Sequence, residues 1–154
     1  MEDIIRKTIE VYKKKFGKDN PVVAKAPGRV NLIGEHTDYN DGFVFPVAID
    51  KAAFIIGNKT DDKKVRMYSM MSDEMVEHPV EGFKHDDKHS WANYILGVMQ
   101  ELQKLGYELP GAEIVNSCTV PLASGLSSSA ALEVAVSTFF EEIADIKISP
   151  VEVA

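Results

Sequence analysis

Between two glycines and the residues just after them, this chain sets Gly28-Arg29-Val30-Asn31-Leu32-Ile33-Gly34-Glu35-His36-Thr37-Asp38-Tyr39. A cation, two carboxylates, an imidazole, an amide and a phenol crowd into one segment that follows a strand-like run ending in Ala26-Pro27. Val30, Leu32 and Ile33 are expected to hold part of it against a core. A half-buried segment this rich in charge is costly unless something pairs with the charges. Two readings follow. The ions can satisfy one another in a structural turn, or they can meet a polyhydroxylated ligand beside a transferred anionic group. The density of hydrogen-bonding groups favours the second.

A second segment, Pro121-Leu122-Ala123-Ser124-Gly125-Leu126-Ser127-Ser128-Ser129-Ala130-Ala131, leads into a helical pattern. It lacks the lysine of G-x-x-x-x-G-K-[ST], and Ala123-Ser124-Gly125 does not fit G-x-G-x-x-G. It can still cradle an anion. Gly125 permits a tight turn, and Ser127, Ser128 and Ser129 fall where a helix start exposes unpaired N–H groups to phosphate. A serine hydroxyl there can also reach a magnesium ion. Taken alone, the segment reads better as a serine-rich helix cap, which many helices have.

The rest of the chain supplies a scaffold. Ile4, Ile5, Thr8, Ile9, Val11, Tyr12 and Phe16 recur at helical spacing, with acids first, Lys13-Lys14-Lys15 last and Gly17 as a cap. Pro21 to Ala26 reads as a strand. Phe43–Ile49 and Ala52–Gly57 read as a strand pair, the first an edge strand because of Pro46. Val65–Ser69 and Met75–Val80 read as two more strands, and 81–90 as a polar loop. Trp91, Ile95, Val98, Met99, Leu102 and Leu105 mark an amphipathic helix with Ser90 as N-cap, ended by Gly106. Gly111–Ser117 returns to strand. Leu132, Val136, Phe139, Ile143 and Ile146 stripe a last helix. Without regular alternation of strand and helix, the pattern predicts an α+β fold, a mixed sheet packed with helices. Ser149-Pro150-Val151-Glu152 has the form of a capping box, so a further helix is expected to start there and to be cut short.

Composition narrows the partners. The chain has 154 residues and a formal net charge of −7, which argues against nucleic acid and anionic membranes. A single cysteine, Cys118, suits a reducing compartment and a small buried apolar role. With no basic start leading into an apolar run and no uncharged stretch of membrane-spanning length, a cytoplasmic protein is expected.

The segment from Gly28 to Tyr39, continuing through Asn40-Asp41-Gly42, closely resembles the signature of galactokinases, sugar kinases of the GHMP superfamily. Pro121 to Ala131 resembles that superfamily's phosphate loop, and Trp91-Ala92-Asn93-Tyr94-Ile95-Leu96-Gly97 is similar to a galactokinase helix start. The resemblance implies the N-terminal GHMP kinase domain, of the ribosomal protein S5 domain 2-like type, over 1–154 and incomplete at its C-terminal end. It implies transfer of the γ-phosphoryl group of ATP to the C1 hydroxyl of galactose, with Mg2+. Glu35, His36, Thr37 and Asp38 would contact galactose. Arg29 would meet charge on the transferred group, or pair with Glu35 or Asp38. Ala123, Ser124, Gly125, Leu126, Ser127, Ser128 and Ser129 would contact ATP, with Ser129 on magnesium, and Ser69 resembles a position near the nucleotide. Ala123 and Ser124 stand where relatives often have glycine. The catalytic aspartate and a second magnesium carboxylate of galactokinases belong to segments with no match here. The fragment is therefore expected to be inactive and to self-associate. The alternative is a non-catalytic galactose and ATP sensor of the same fold.

Other residues receive plainer readings. His85 and His89 are spaced for zinc on a helix, but their segment reads as a solvated loop. His78 is expected to sit exposed without chemistry. Met67, Met70, Met71 and Met75 are expected to fill gaps in the core.

Overall fold

The computed structural model describes residues 2–34, 40, 42–121 and 124–149. Its elements are α1 (Glu2–Phe16), β1 (Val22–Asn31), β2 (Pro46–Thr60), β3 (Lys64–Ser69), β4 (Glu74–Pro79), α2 (Ala92–Lys104), β5 (Gly111–Cys118) and α3 (Ser128–Ala144). The strands form a five-stranded sheet in the order β1-β2-β5-β3-β4. All neighbours are antiparallel except β3 and β5, which run parallel. The fold is thus α+β with a mixed sheet, as the residue pattern predicts.

Helices cover both faces of that sheet, and this is why β2 is apolar in an unbroken run from Ala52 to Gly57. On one face Ile55, Met67 and Ile114 pack with Ile95 and Met99 of α2 and with Val136 and Phe139 of α3. On the other face α1 lays Tyr12 against Ile56, Tyr68 and Val115. Thr8 is fully buried there, its hydroxyl 2.7 Å from the Ile4 carbonyl and 2.9 Å from Ser117 Oγ. Tyr12 accepts a hydrogen bond from Asn58 Nδ2 at 3.2 Å.

Three sequence expectations need correction. Phe43–Ile49 and Ala52–Gly57 are not a strand pair: Pro46 to Thr60 is one continuous strand. Nor is it an edge. β2 lies between β1 and β5, with Pro46 as its first residue, where a missing N–H costs least. The edge strand with an internal proline is β1, whose register against β2 shifts between Pro27 and Arg29. Second, Leu32 and Ile33 do not hold the signature against a core. They are 60% and 71% exposed, because the ladder runs on past the helices: Leu32 N donates to Phe45 O and Phe45 N to Ile33 O, both at 3.0 Å. Third, α2 is capped by Trp91 rather than Ser90, with no side-chain capping bond.

Candidate functional site

Gly28 is where the two motifs meet. A Cβ at this residue would stand 2.8 Å from the Leu126 carbonyl oxygen, 3.0 Å from Val120 Cγ2 and 3.1 Å from Ile49 Cδ1. One residue on, Arg29 N donates to that same carbonyl at 3.1 Å. The signature strand therefore abuts the serine loop through backbone alone, and only glycine fits the approach. The Arg29 side chain is exposed at this seam. Glu35, His36, Thr37 and Asp38, with Tyr39, lie outside the described residues, as does Ala123.

The described part of the serine loop turns as its composition demands. Ser124 Oγ donates to the Pro121 carbonyl at 2.7 Å, and Gly125 adopts φ +73°, the left-handed region glycine enters freely. Ser127 is left-handed too, at φ 59°. Its carbonyl accepts from Ala131 N at 3.0 Å, but its hydroxyl makes no capping bond. So the serines do not act as a conventional side-chain cap. The first-turn amides of α3 receive no bond from the cap side chain, which is the arrangement that suits an anion.

Beside this helix start is a cavity of about 280 Å3 at the adjoining ends of β3 and β5. Ser69, Trp91, Tyr94, Asn116, Ser129 and Leu132 are among its lining residues. The indole is fixed, with Trp91 Nε1 donating to Glu74 Oε2 at 2.9 Å. Ser69 is 2% exposed and accepts from Met71 N and Ser72 N at 3.3 and 3.4 Å, so its hydroxyl shapes the turn as well as the wall. Ser128 also lines the cavity, so the structure brings Ser69, Ser128 and Ser129 to one wall. Cys118 is half-buried at the same wall, and burial pushes its thiol pKa up, away from nucleophile chemistry. A larger open groove of about 640 Å3 between α2 and α3 holds none of the serine-loop residues.

Sequence reasoning missed several members of this neighbourhood. Met71 is not core filler: it is exposed and lines the cavity, and Met75 is exposed as well, whereas Met67 is fully buried. Asn116 carried no signal, being one of several polar residues along β5 with Glu113 and Ser117. His78 was expected to be exposed and idle, yet its Nε2 lies 3.1 Å from Asp86 Oδ2, while His89 Nδ1 approaches the same oxygen at 3.0 Å. Asp86 N in turn donates to Asn93 Oδ1 at 2.8 Å, which ties the 81–90 loop to the start of α2. Hydrogen bonding to His89 holds the Asp86 carboxyl well below the usual carboxylate range. Among the described residues no group of three His, Cys, Asp or Glu side chains could hold a metal ion. No helix among them is long and apolar enough to cross a membrane.

Residues 10–59 match the galactokinase galactose-binding signature, and residues 93–154 match the GHMP kinases N terminal domain. A galactokinase of Chloroflexus aggregans is 44% identical over 93% of the chain, and one of Haemophilus influenzae 41% identical over 97%. The chain spans only 37% and 39% of those relatives' lengths. The crystal structure of Lactococcus lactis galactokinase complexed with galactose superposes with a TM-score of 0.91 at 34% identity, covering 97% of this chain and 40% of that one. A mevalonate kinase structure at 18% identity and TM-score 0.72 shares the fold alone.

Proposed function

Since the chain belongs to the galactokinases of the GHMP kinase superfamily, we propose that it forms the sugar-signature and nucleotide-loop part of an enzyme that phosphorylates galactose. In this reading ATP supplies the γ-phosphoryl group and the galactose C1 hydroxyl accepts it. The supporting observation is the seam at Gly28. Arg29 N bonded to Leu126 O sets the sugar signature directly against the loop proposed to hold the phosphates. Phosphoryl transfer is mostly positioning and charge stabilisation, so a rigid link between the acceptor side and the donor side is what the chemistry requires.

The residues divide by chemistry. Glu35, His36, Thr37 and Asp38 would bind the sugar hydroxyls, each charge-assisted bond adding roughly 1.5–3 kcal/mol. Arg29 would meet charge that builds on the transferred group, stabilising the transition state more than the ground state. Ala123 to Ser129 would hold the phosphates, chiefly through the first-turn amides of α3. The donor set fits magnesium only as a guest of the phosphates, with the Ser129 hydroxyl adding one hard oxygen. When bound, magnesium neutralises charge on the phosphate oxygens. Ser69 would stand beside the nucleotide.

A coupled ADP-release assay on the full-length protein tests the proposal. Galactose should drive turnover, and methyl galactoside, whose O1 is blocked, should not. ADP release indifferent to the sugar would refute it. Arg29→Ala should lower kcat by about 100-fold or more, the scale for losing one charge-stabilising group, with the galactose KM little changed. The 154 residues alone are expected to be silent, because the catalytic aspartate of galactokinases belongs to a segment without a match in them.

A further inference from the structure

The cavity beside Ser128 and Ser129 contains one buried polar atom without a partner among the described residues, Asn116 Oδ1. Asn116 is 4% exposed and sits on β5 in alternation with Ala112 and Ile114, so its side chain belongs to the α2 and α3 face of the sheet. Its backbone is accounted for, since Met70 N donates to the Asn116 carbonyl at 3.1 Å. Its neighbour Ser117 also has a partner, Thr8, on the opposite face. The amide oxygen is buried with no partner among the described residues. An apolar strand residue here would carry no such cost, so the unpaired acceptor is a feature a guest can complete.

The walls say which guest. Trp91, Tyr94 and Leu132 offer flat and apolar surface, and about 280 Å3 lies near the low end of small-molecule sites, roughly 300–1,000 Å3. That is room for one planar ring system and not for a whole nucleotide, whose phosphates would remain outside at the α3 N-terminus. We infer that Asn116 reads the nucleobase: its Oδ1 accepts a hydrogen bond from an exocyclic amine, so the cavity takes a 6-aminopurine and rejects a 6-oxopurine. The inference rests on the proposed nucleotide site and names what gives that site its base preference. A 6-oxopurine turns a carbonyl oxygen toward Oδ1, setting two acceptors face to face until the amide turns over to present Nδ2, which gives up the arrangement seen here. A site with a buried polar group left unpaired discriminates strongly against the ligand that leaves it so.

Titration of the full-length protein with MgATP and with MgITP, followed by calorimetry, should give saturable binding, ATP acting at about 10-fold lower concentration or better, the scale of one unmade buried hydrogen bond. Asn116→Leu, similar in shape but without the amide, should bring the two nucleotides within about 2-fold, mainly by weakening ATP. Asn116→Thr suits a strand and has a hydroxyl that both donates and accepts, so it should narrow the ratio even if the leucine variant fails to fold. Equal titrations in the unaltered chain, a preference for ITP, or an undiminished ATP preference in either variant would overturn the role of Asn116 while leaving the nucleotide site standing. No binding of either nucleotide would overturn the site itself, and the inference with it.

Discussion

One strand runs through two different environments. From Ala52 to Gly57, β2 is buried on both faces, between α1 on one side and α3 on the other. From Pro46 to Lys51 the same strand is exposed apart from the half-buried Ile49, which reaches the seam at Gly28. Its partners there are Arg29, Val30 and Asn31, and just beyond it Leu32, Ile33, Phe43 and Phe45 are exposed and apolar, Phe43 at 98%. The inner half holds the sheet together, whereas the outer half carries the signature away from the helices. Burial and placement are thus separate tasks along one strand, and substitutions in the two halves should differ in kind.

The sharpest contrast is at Ile55, fully buried in the larger core. Ile55→Ala should cost about 2–5 kcal/mol, seen as an earlier midpoint in denaturant unfolding. A loss below about 1 kcal/mol would mean that the core collapses around the gap. Next comes the seam. In Gly28→Ala the added methyl meets a backbone carbonyl that cannot swing aside, so about 1–3 kcal/mol is expected, with nucleotide affinity falling more than stability explains. Unchanged affinity in that variant would separate the seam from the loop's function.

A smaller effect belongs to Asp86, whose carboxyl is lowered below its unfolded value, chiefly by His89. A lowered carboxyl stabilises the fold above its unfolded pKa, about 3.9, and loses that contribution as pH falls through the folded value. Asp86→Asn should therefore melt below the parent protein near neutral pH, with the gap closing as pH drops under about 4. A constant gap across that range would deny the carboxylate its part. Smallest for stability is Phe43→Ser, within about 0.5 kcal/mol. It should nevertheless reduce self-association in sedimentation experiments, since an exposed apolar patch favours it.

Much of this was readable from residue patterns. The acids and lysines of α1, the stripes of α2 and α3, and the alternation in β3 and β4 all appear where spacing places them. What escaped was whatever depends on distant neighbours. Asp50 and Lys51 look like a break between two strands, yet they continue one, because the overhang leaves both side chains in water. Pro46 looks like an edge marker, but strand order is settled by packing that no local pattern records. Ser90 has the composition of a cap and does not serve as one. Likewise, nothing local unites Ser69, Trp91, Asn116 and Ser129, which come from four elements or their ends and share a wall only after folding. The His78–Asp86 contact spans a polar loop and was equally hidden.

The tie between Arg29 N and the Leu126 carbonyl has a consequence for engineering. Because it is made of main-chain atoms on both sides, its length does not depend on which side chains flank it. The sugar-recognition groups proposed at 35–38 could then be exchanged as a cassette, and so could the lining of the proposed nucleobase cavity, without resetting the reach from one to the other. A designer seeking a new acceptor sugar would leave Gly28 alone and vary everything the glycine keeps in register.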